Sequence, residues 1–216
     1  YALGQLVQVA VSYQLAWSQK MQKKIDQMQD HFIVCGFGRV GRTVCRHLTQ
    51  SAKPFVVIEK DEDQFQQSCA EGYLSLLGAA SKDEILLRAG IERAHGIICA
   101  VDSDSENIVI TLSARELHQG IQIISRADEE DGVKKIRRAG ASHVVSPALK
   151  GADDIADWVI RPHLAEFLKA SQYSENEYMF SELMIAEGSS LIGLTVREYG
   201  TRQESLVFIA IKRADP

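Results

Sequence analysis

The sequence predicts an α/β protein built on a doubly wound parallel sheet, and two observations lead to this prediction. Across residues 31–146, short apolar runs alternate with stretches of helical periodicity, and the connections between them are short. The first apolar run, Phe32 to Cys35, continues directly into a G-x-G-x-x-G motif that opens a helical pattern. An uninterrupted apolar run of this length is typical of a parallel strand whose two faces are both covered by helices.

The elements follow one another in a regular order. Val40, Val44 and Leu48 recur at i, i+4 and i+8, which places them on one face of the helix after the first strand. The predicted strands lie near residues 31–35, 55–59, 73–77, 96–101, 121–125 and 143–146, and the predicted helices near 39–51, 61–71, 81–89, 103–119 and 129–139.

The glycine motif suggests a phosphate site. Gly36 permits a tight turn, Gly38 lets a pyrophosphate approach the backbone, and Gly41 lets the helix pack close to the strand. The helix then offers unpaired N–H groups and its positive end to an anion. Taken alone, the three glycines fit a simple tight turn equally well.

A carboxylate one strand further on favours the nucleotide interpretation. The second apolar run, Phe55 to Ile58, ends in Glu59, which follows Gly41 by 18 residues. This is close to the spacing of the acid that binds ribose in dinucleotide folds. A carboxylate only accepts hydrogen bonds, so it suits the two hydroxyl donors of a ribose.

Composition limits the other classes of function. The net charge of −5 and the pI near 5.7 argue against a broad nucleic-acid surface. The cysteines show no C-x-x-C spacing, and two lie in apolar runs where a buried free thiol is expected. We therefore expect a reducing, cytoplasmic setting with neither disulfides nor a zinc site. The four cysteines are Cys35, Cys45, Cys69 and Cys99.

The amino-terminal stretch leaves two interpretations open. Residues 1–17 are apolar but carry Gln5, Gln8 and Ser12 on one helical face, so they are too short and too polar to cross a bilayer alone. They fit either an amphipathic helix that packs on a partner or the lower end of a membrane helix from a longer protein. Residues 18–30 then resemble a polar linker, whose lysines would suit a cytoplasmic membrane flank.

The pattern changes after Pro147. Residues 148–172 predict two helices broken at Arg161-Pro162, because proline removes an i→i−4 hydrogen bond. Such an apolar helical pair is either a lid on its own domain or an intermolecular contact. Residues 173–216 hold short β-like runs that are too few for a stable domain, so this part is cut short or completed by a partner.

Several segments together resemble the RCK (KTN, TrkA-N) family, whose domains regulate potassium channels and the Trk/Ktr uptake systems. The matching segments are 31–41, 57–61, 77–81, 87–91, 138–141 and 144–147. Residues 187–198 are similar to the start of a TrkA-C lobe, and residues 1–6 to the cytoplasmic end of a pore-lining helix. The resemblance implies four parts: the end of a pore helix with a linker (1–30), a Rossmann-like domain (31–146), a helix-turn-helix dimerisation element (147–172) and an incomplete α+β TrkA-C lobe (173–216).

The resemblance also implies a function. It suggests a cytoplasmic, nucleotide-sensing regulatory domain of a prokaryotic potassium channel, at the cytoplasmic face of the membrane. Its helix-turn-helix would be swapped in a homodimer, and four dimers would stack into an octameric gating ring beside a pore on the same chain. The alternative is a separate soluble regulatory subunit of a Trk/Ktr system, which differs in residues 1–30. No nucleic-acid partner is expected.

Site residues can be carried over from the family one by one. The turn would hold the phosphates, Arg39 as a cation, while Glu59 would bind ribose and Ala79 and Ala80 would line the adenine. An acidic residue would repel a 2′-phosphate, so NAD, NADH, ADP or ATP is expected rather than NADP. Ala79 replaces an aspartate of the family pattern, which leaves the identity of the nucleotide open. The full set is Gly36, Phe37, Gly38, Arg39, Val40, Gly41, Glu59, Lys60, Ala79, Ala80, Asp102 and Arg126.

Two further activities are not expected. Some channels of the family bind calcium, and Asp104 and Asp128 match its acids, but Arg126 stands where another carboxylate would lie and would repel a cation. A dehydrogenase would need a substrate domain and a positioned acid or base. The rest of the chain is too small for that domain, and none of the six histidines has a convergent partner in the sequence. We therefore predict neither a catalytic residue nor a metal ligand; a regulating divalent cation stays open but is not expected at the family's calcium site.

Overall fold

The computed structural model describes residues 19–162, 185, 189–193 and 195. The chain divides into two units, residues 1–160 and 161–216. The first unit contains a six-stranded, all-parallel sheet with the strand order β3-β2-β1-β4-β5-β6. In the second unit, the described residues form a turn in which the Ile192 amide donates to the Ser189 carbonyl at 3.1 Å. The predicted TrkA-C lobe otherwise lies outside the described residues.

The six predicted strands and five predicted helices of residues 31–146 are confirmed, with small differences at their ends. The strands are β1 (Phe32–Cys35), β2 (Phe55–Glu59), β3 (Ser75–Leu77), β4 (Gly96–Cys99), β5 (Gln122–Arg126) and β6 (His143–Val145). The helices are α1 (residues 19–26), α2 (Arg39–Gln50), α3 (Glu62–Ala70), α4 (Asp83–Arg88), α5 (Asp104–Leu117), α6 (Glu130–Arg138) and α7 (Pro147–Ile160), with a short 3₁₀ helix at Ile91–Arg93.

Strand β1 is central and pairs in parallel on both sides. Phe32 lies opposite Phe55 of β2 and opposite Gly96 of β4, so the chain winds outward from β1 in both directions. In such sheets a crevice opens at the carboxyl ends of the strands, at the point where the winding reverses. Here that point lies between β1 and β4.

Both faces of the central strands β1, β2 and β4 are buried, as their apolar runs predict. Successive side chains of a strand point to opposite faces. Ile33 and Cys35 accordingly belong to one apolar cluster, while Val34 belongs to the other together with Phe37 and Cys45. The double covering by helices explains why β1 has no alternation of polar and apolar residues.

The cysteines are free thiols, as expected, and Cys35, Cys45 and Cys99 are buried. Burial raises the pKa of the Cys45 and Cys99 thiols to about 12 and that of Cys35 well above its ordinary value. The nucleophilic form of a cysteine is its thiolate. These three side chains therefore act as apolar core residues.

The segment expected to be a polar linker is partly folded onto the domain. Residues 19–26 form helix α1, in which Ile25 is completely buried in the core, and Met21 and Met28 pack against the same cluster. Burying one isoleucine side chain contributes about 1.5–3 kcal/mol. The attachment of α1 is therefore modest beside the stability of a whole domain.

Helix α7 differs from the others because none of its 14 residues is buried. Its exposed apolar side chains include Ile155, Val159 and Ile160, each more than two-thirds exposed. The helix ends before Arg161, where the break was predicted, and the predicted second helix falls outside the described residues except at its first position. Within residues 19–162 no helix is long and apolar enough to span a bilayer.

A testable prediction concerns His31, which is completely buried immediately before β1. Its Nε2 lies 2.8 Å from the Ala89 carbonyl oxygen and so carries the proton, while Nδ1 has no hydrogen-bond partner among the described residues. Burial lowers the pKa of His31 below its ordinary value of 6.5. The unfolded chain therefore binds more protons than the folded chain below that pH, and stability should fall as the pH drops from about 6.5 until it passes the folded pKa.

Urea unfolding at pH 7.5 and pH 5 would measure this loss. His31→Gln keeps an N–H donor for the Ala89 carbonyl but cannot titrate, so it should lose less stability on acidification than the wild type. His47→Gln, at an exposed histidine, is the matched control and should behave like the wild type. An identical pH dependence in His31→Gln and the wild type would contradict the prediction.

Candidate functional site

The residues predicted for the site come together at one edge of the sheet. They lie on the loops that follow β1, β2, β3 and β4 and at the end of β5, all at the carboxyl ends of parallel strands. Five separate segments thus meet around the point where the winding reverses. No single stretch of sequence supplies the site.

Two of the three motif glycines are required by the fold itself. Gly36 has φ +93°, a conformation that other residues rarely adopt, and its amide donates to the Ile58 carbonyl at 2.8 Å. At Gly41, a Cβ would lie 1.9 Å from the Gly36 carbonyl oxygen. Gly41 therefore allows α2 to start directly against the turn, as the motif predicts.

The middle glycine is different. Gly38 has φ −71°, which any residue can adopt, and a Cβ there would meet only Asp102 Oδ2 at 3.6 Å and Gln64 Oε1 at 3.8 Å. These are ordinary contacts, so the protein's own packing does not require a glycine at position 38. A close approach by something other than the protein would require it.

The start of α2 has an electrostatic character that suits an anion. Its first turn contains no acidic residue, whereas the first turns of α3, α4, α5 and α6 all do. Arg39 is exposed at its first position. The amides of a first helical turn have no acceptor within their own helix, and the helix dipole is positive at this end.

Glu59 is buried and holds the glycine turn in place. Its Oε2 accepts from the Phe37 amide at 2.5 Å, and its Oε1 accepts from the amides of Lys60 at 2.7 Å and Asp61 at 2.8 Å. A carboxylate has about four acceptor positions, so roughly one is left over, on Oε2. The motif spacing suggested only a ligand contact for Glu59 and missed this second role, since amide directions are not visible in a sequence.

Lys60 forms an ion pair that sequence reasoning did not find. Its Nζ lies 2.7 Å from Glu106 Oε2, in the first turn of α5, and the hydrogen bond raises the pKa of Lys60. Lys60 follows β2, and α5, which carries Glu106, follows β4; β2 and β4 are the two neighbours of β1. The pair therefore bridges the two sides of the crevice.

Arg126 is tied to two aspartates at the end of β5. It pairs with Asp102, and its Nη2 lies 2.8 Å from Asp128 Oδ2. Burial opposes the charge of this guanidinium, but hydrogen bonds to Asp102 and Asp128 outweigh burial and raise its pKa. Asp102 remains mostly exposed, at 72%, on the side of the crevice next to Gly38.

The two acids that match the family's calcium ligands are used internally. Asp104 accepts from the amides of Asp128 at 2.9 Å and Glu129 at 3.3 Å, and Asp128 faces Arg126 with both oxygens. A Cβ on Gly132 would lie 2.0 Å from Asp104 Oδ2, so α6 is packed tightly against this carboxylate. In the part of the chain that the structure describes, no group of three or more histidines, cysteines or acids is arranged to hold a metal ion.

The predicted adenine turn follows β3. Gly78 has φ +158°, Ala79 is half-buried and Ala80 is buried. A Cβ on Gly78 would lie 2.9 Å from Ile85 Cδ1, so α4 packs closely on this turn. With alanine at position 79, the base would find backbone groups here rather than a carboxylate.

The described histidines lie away from this edge. His31 and His95 lie at the starts of β1 and β4, and His95 Nδ1 is 2.9 Å from Asp30 Oδ1. His118 follows the end of α5 and precedes β5, and its Nδ1 lies 3.1 Å from the Ile91 carbonyl oxygen. His163 is outside the described residues. No described histidine is positioned as an acid or base beside the turn.

Known proteins are similar to this chain in sequence and in fold. Residues 32–147 match the TrkA-N domain family. Two relatives from Methanocaldococcus jannaschii are "Probable potassium channel protein 2" (34% identical, covering 85% of this chain and 56% of the relative) and "Potassium channel protein 1" (32% identical, 91% and 60%). The chain thus spans a little over half the length of these relatives.

Among solved structures, the TrkA-N domain of the inner membrane protein ybaL from Escherichia coli is 31% identical with a TM-score of 0.59, covering 62% of this chain and 98% of that one. GsuK bound to ADP is 33% identical with a TM-score of 0.56, covering 63% and 36%. The GsuK channel bound to NAD is 29% identical with a TM-score of 0.52, covering 56% and 22%. The family match covers more than half of this chain: the chain belongs to the TrkA-N (RCK) domain family.

Proposed function

We propose that this chain is the ligand-sensing regulatory domain of a potassium channel, at the cytoplasmic face of the membrane. It binds an adenine nucleotide at the Gly36–Gly41 turn and gates potassium transport through rearrangement of a dimer or ring. The observation that carries the proposal is Gly38, since the fold accounts for the glycines on either side of it but not for this one. A pyrophosphate seated on the α2 amides accounts for it.

The proposed ligand is NAD, NADH, ADP or ATP. The phosphates rest against residues 38–41 with Arg39 as a cation, because the Phe37 amide is already engaged by Glu59. The remaining acceptor position of Glu59 takes a ribose hydroxyl, while Lys60, Asp102 and Arg126 line the polar side of the crevice and Ala79 and Ala80 the base. Structures of GsuK with ADP and with NAD support this class of ligand.

The proposed assembly is a homodimer through α7, and dimers stack into a ring. A 14-residue helix that buries none of its side chains against its own domain has an apolar face to cover. The family resemblance, which implies a dimer contact through residues 147–172, supports the same assignment.

The proposed pore belongs to the same full-length chain. The relatives named potassium channel proteins are longer than this chain, which leaves room for a pore in their remainder. Helix α1 also supports this version over a separate Trk/Ktr subunit, because residues 19–26, the first that the structure describes, are helical and are anchored to the domain by the buried Ile25. The edge that carries the turn has no histidine acid or base among the described residues, which supports regulation rather than catalysis.

The main test is Gly38→Ala. Alanine fits the backbone at this position, so the free energy of unfolding should change by less than ~1 kcal/mol. Its methyl group would stand where the pyrophosphate approaches, so ADP affinity measured by isothermal titration should fall at least about tenfold.

Two other glycine-to-alanine substitutions serve as controls for Gly38→Ala. Gly151→Ala, in α7 with open space around it, should leave ADP affinity unchanged. Gly41→Ala should destabilise the fold, because its Cβ would overlap the Gly36 carbonyl oxygen. A Gly38→Ala protein that binds ADP as the wild type does, or a wild type that binds none of ADP, ATP, NAD and NADH at millimolar concentration, would refute the proposed site.

A second prediction concerns the 2′-phosphate. NADPH would bring a phosphate next to the buried Glu59 carboxylate, so NADH should bind at least about tenfold more tightly than NADPH. In Glu59→Gln this ratio should shrink towards one. The ratio is taken within one protein, so a general loss of stability in Glu59→Gln does not affect it. Equal affinities for the two dinucleotides in the wild type would contradict the assignment.

A third prediction concerns the dimer. Ile155→Asp combined with Val159→Asp places charges at exposed positions, so the protomer should remain folded while sedimentation shifts from dimer to monomer. Asp153→Ser, at an exposed acid of the same helix, is the control and should sediment as the wild type does. If the double variant keeps the wild-type mass, α7 is not the dimer contact.

A further inference from the structure

Arg93 holds the end of helix α1 against the domain. Its Nε donates to the Met28 carbonyl at 2.9 Å, and its Nη2 donates to the Ile25 carbonyl at 3.0 Å. The last carbonyls of a helix lack partners within the helix, and its negative end favours a cation. Arg93 supplies both the hydrogen bonds and the charge.

The segment around Arg93 contacts α1 at further points. Gln22 Nε2 donates to the Arg88 carbonyl at 2.9 Å, and Arg88 Nε donates to Gln22 Oε1 at 3.2 Å. Beyond the helix, the Asp30 amide donates to the Arg93 carbonyl at 3.0 Å. Residues 88–93 therefore contact the segment before β1 at several points between Gln22 and Asp30.

Gly90 leaves space for the Arg93 guanidinium to reach α1. It has φ +79°, and a Cβ there would lie 2.7 Å from both Cζ and Nη2 of Arg93. The guanidinium thus passes directly over the backbone of Gly90 on its way to α1. A side chain at position 90 would push Arg93 out of its hydrogen bonds.

The same segment is continuous with the adenine turn. Helix α4 begins just after Ala80, the Lys82 amide donates to the Ala79 carbonyl at 3.1 Å, and Ile85 lies against Gly78 without space for a methyl group between them. With six residues, α4 is only about 9 Å long. Arg93 lies five residues beyond the end of α4, in the 3₁₀ helix Ile91–Arg93, so α4 and this short helix connect the turn to Arg93.

We propose that Arg93 is the positioning residue that couples nucleotide occupancy to helix α1. A nucleoside diphosphate bound against the Ala79–Ala80 turn restricts the movement of α4. Arg93 then keeps its hydrogen bonds to residues 19–30 more of the time, so this segment is attached more firmly. Coupling of this kind is reciprocal. If ADP raises the equilibrium constant for attachment of α1 by some factor, attachment of α1 raises the affinity for ADP by the same factor. This inference rests on the proposed nucleotide site.

The test uses the 216-residue chain, with hydrogen exchange of peptides from residues 19–30 and isothermal titration with ADP. In the wild type, saturating ADP should slow exchange of residues 19–30 by about fivefold. Arg93→Ala should abolish this difference and weaken ADP binding by no more than the same factor. Gly90→Ala, which displaces the guanidinium without removing it, should act in the same way, and Arg93→Lys should restore part of the effect.

Arg115→Ala is the matched control. Arg115 also donates to backbone carbonyls, those of Gln119 and Gly140, but does not touch α1. It should leave both the exchange response and the ADP affinity as in the wild type. If ADP binds the wild type yet exchange of residues 19–30 is unchanged or faster, the coupling is refuted and the nucleotide site stands. If ADP does not bind, both the site and the coupling fall.

Discussion

The hydrogen bond from the Phe37 amide to Glu59 is the constraint on which the site depends. It joins the turn after β1 to the end of β2, across neighbouring strands, and the other oxygen of the same carboxylate holds the amides that lead into α3. Hydrogen bonds to an ionised group are about twice as strong as neutral ones, and a buried carboxylate left without them would be strongly unfavourable. The turn is therefore shaped before a ligand arrives, which reduces the entropy that binding must overcome.

One consequence is that Glu59 serves the fold and, under the proposed function, would also bind the ligand. Three of its acceptor positions belong to the protein, and a ribose hydroxyl would complete the fourth. A substitution at Glu59 therefore alters the turn as well as the binding, while Gly38 can be changed with little effect on packing. The distinction between the two residues comes from the structure, because both belong to the same sequence fingerprint.

The sheet could be predicted from the sequence because its strands are apolar on both faces and each helix shows its own period. The contacts that complete the site could not. Lys60 and Glu106 are 46 residues apart, and Gln22 and Arg88 are 66 apart, and no local pattern pairs them. The sequence predicts a linker where α1 lies, because a single fully buried side chain, Ile25, among polar neighbours is a weak signal. Arg126 was expected to repel a cation, and the structure adds that Asp102 and Asp128 already neutralise it.

The pattern of engaged charges also bears on the choice between a regulator and an enzyme. A general acid or base must exchange a proton with its substrate, so it needs a site free to do so. At this edge Glu59 is occupied by three amides, Arg126 faces two aspartates, and Lys60 is paired with Glu106. A ligand that enters can exchange these contacts for its own, and Asp102 beside Gly38 remains an exposed carboxylate. Under the proposed function, a ligand at this edge would act on the loop after β3, which leads through α4 to the Arg93 contacts with helix α1.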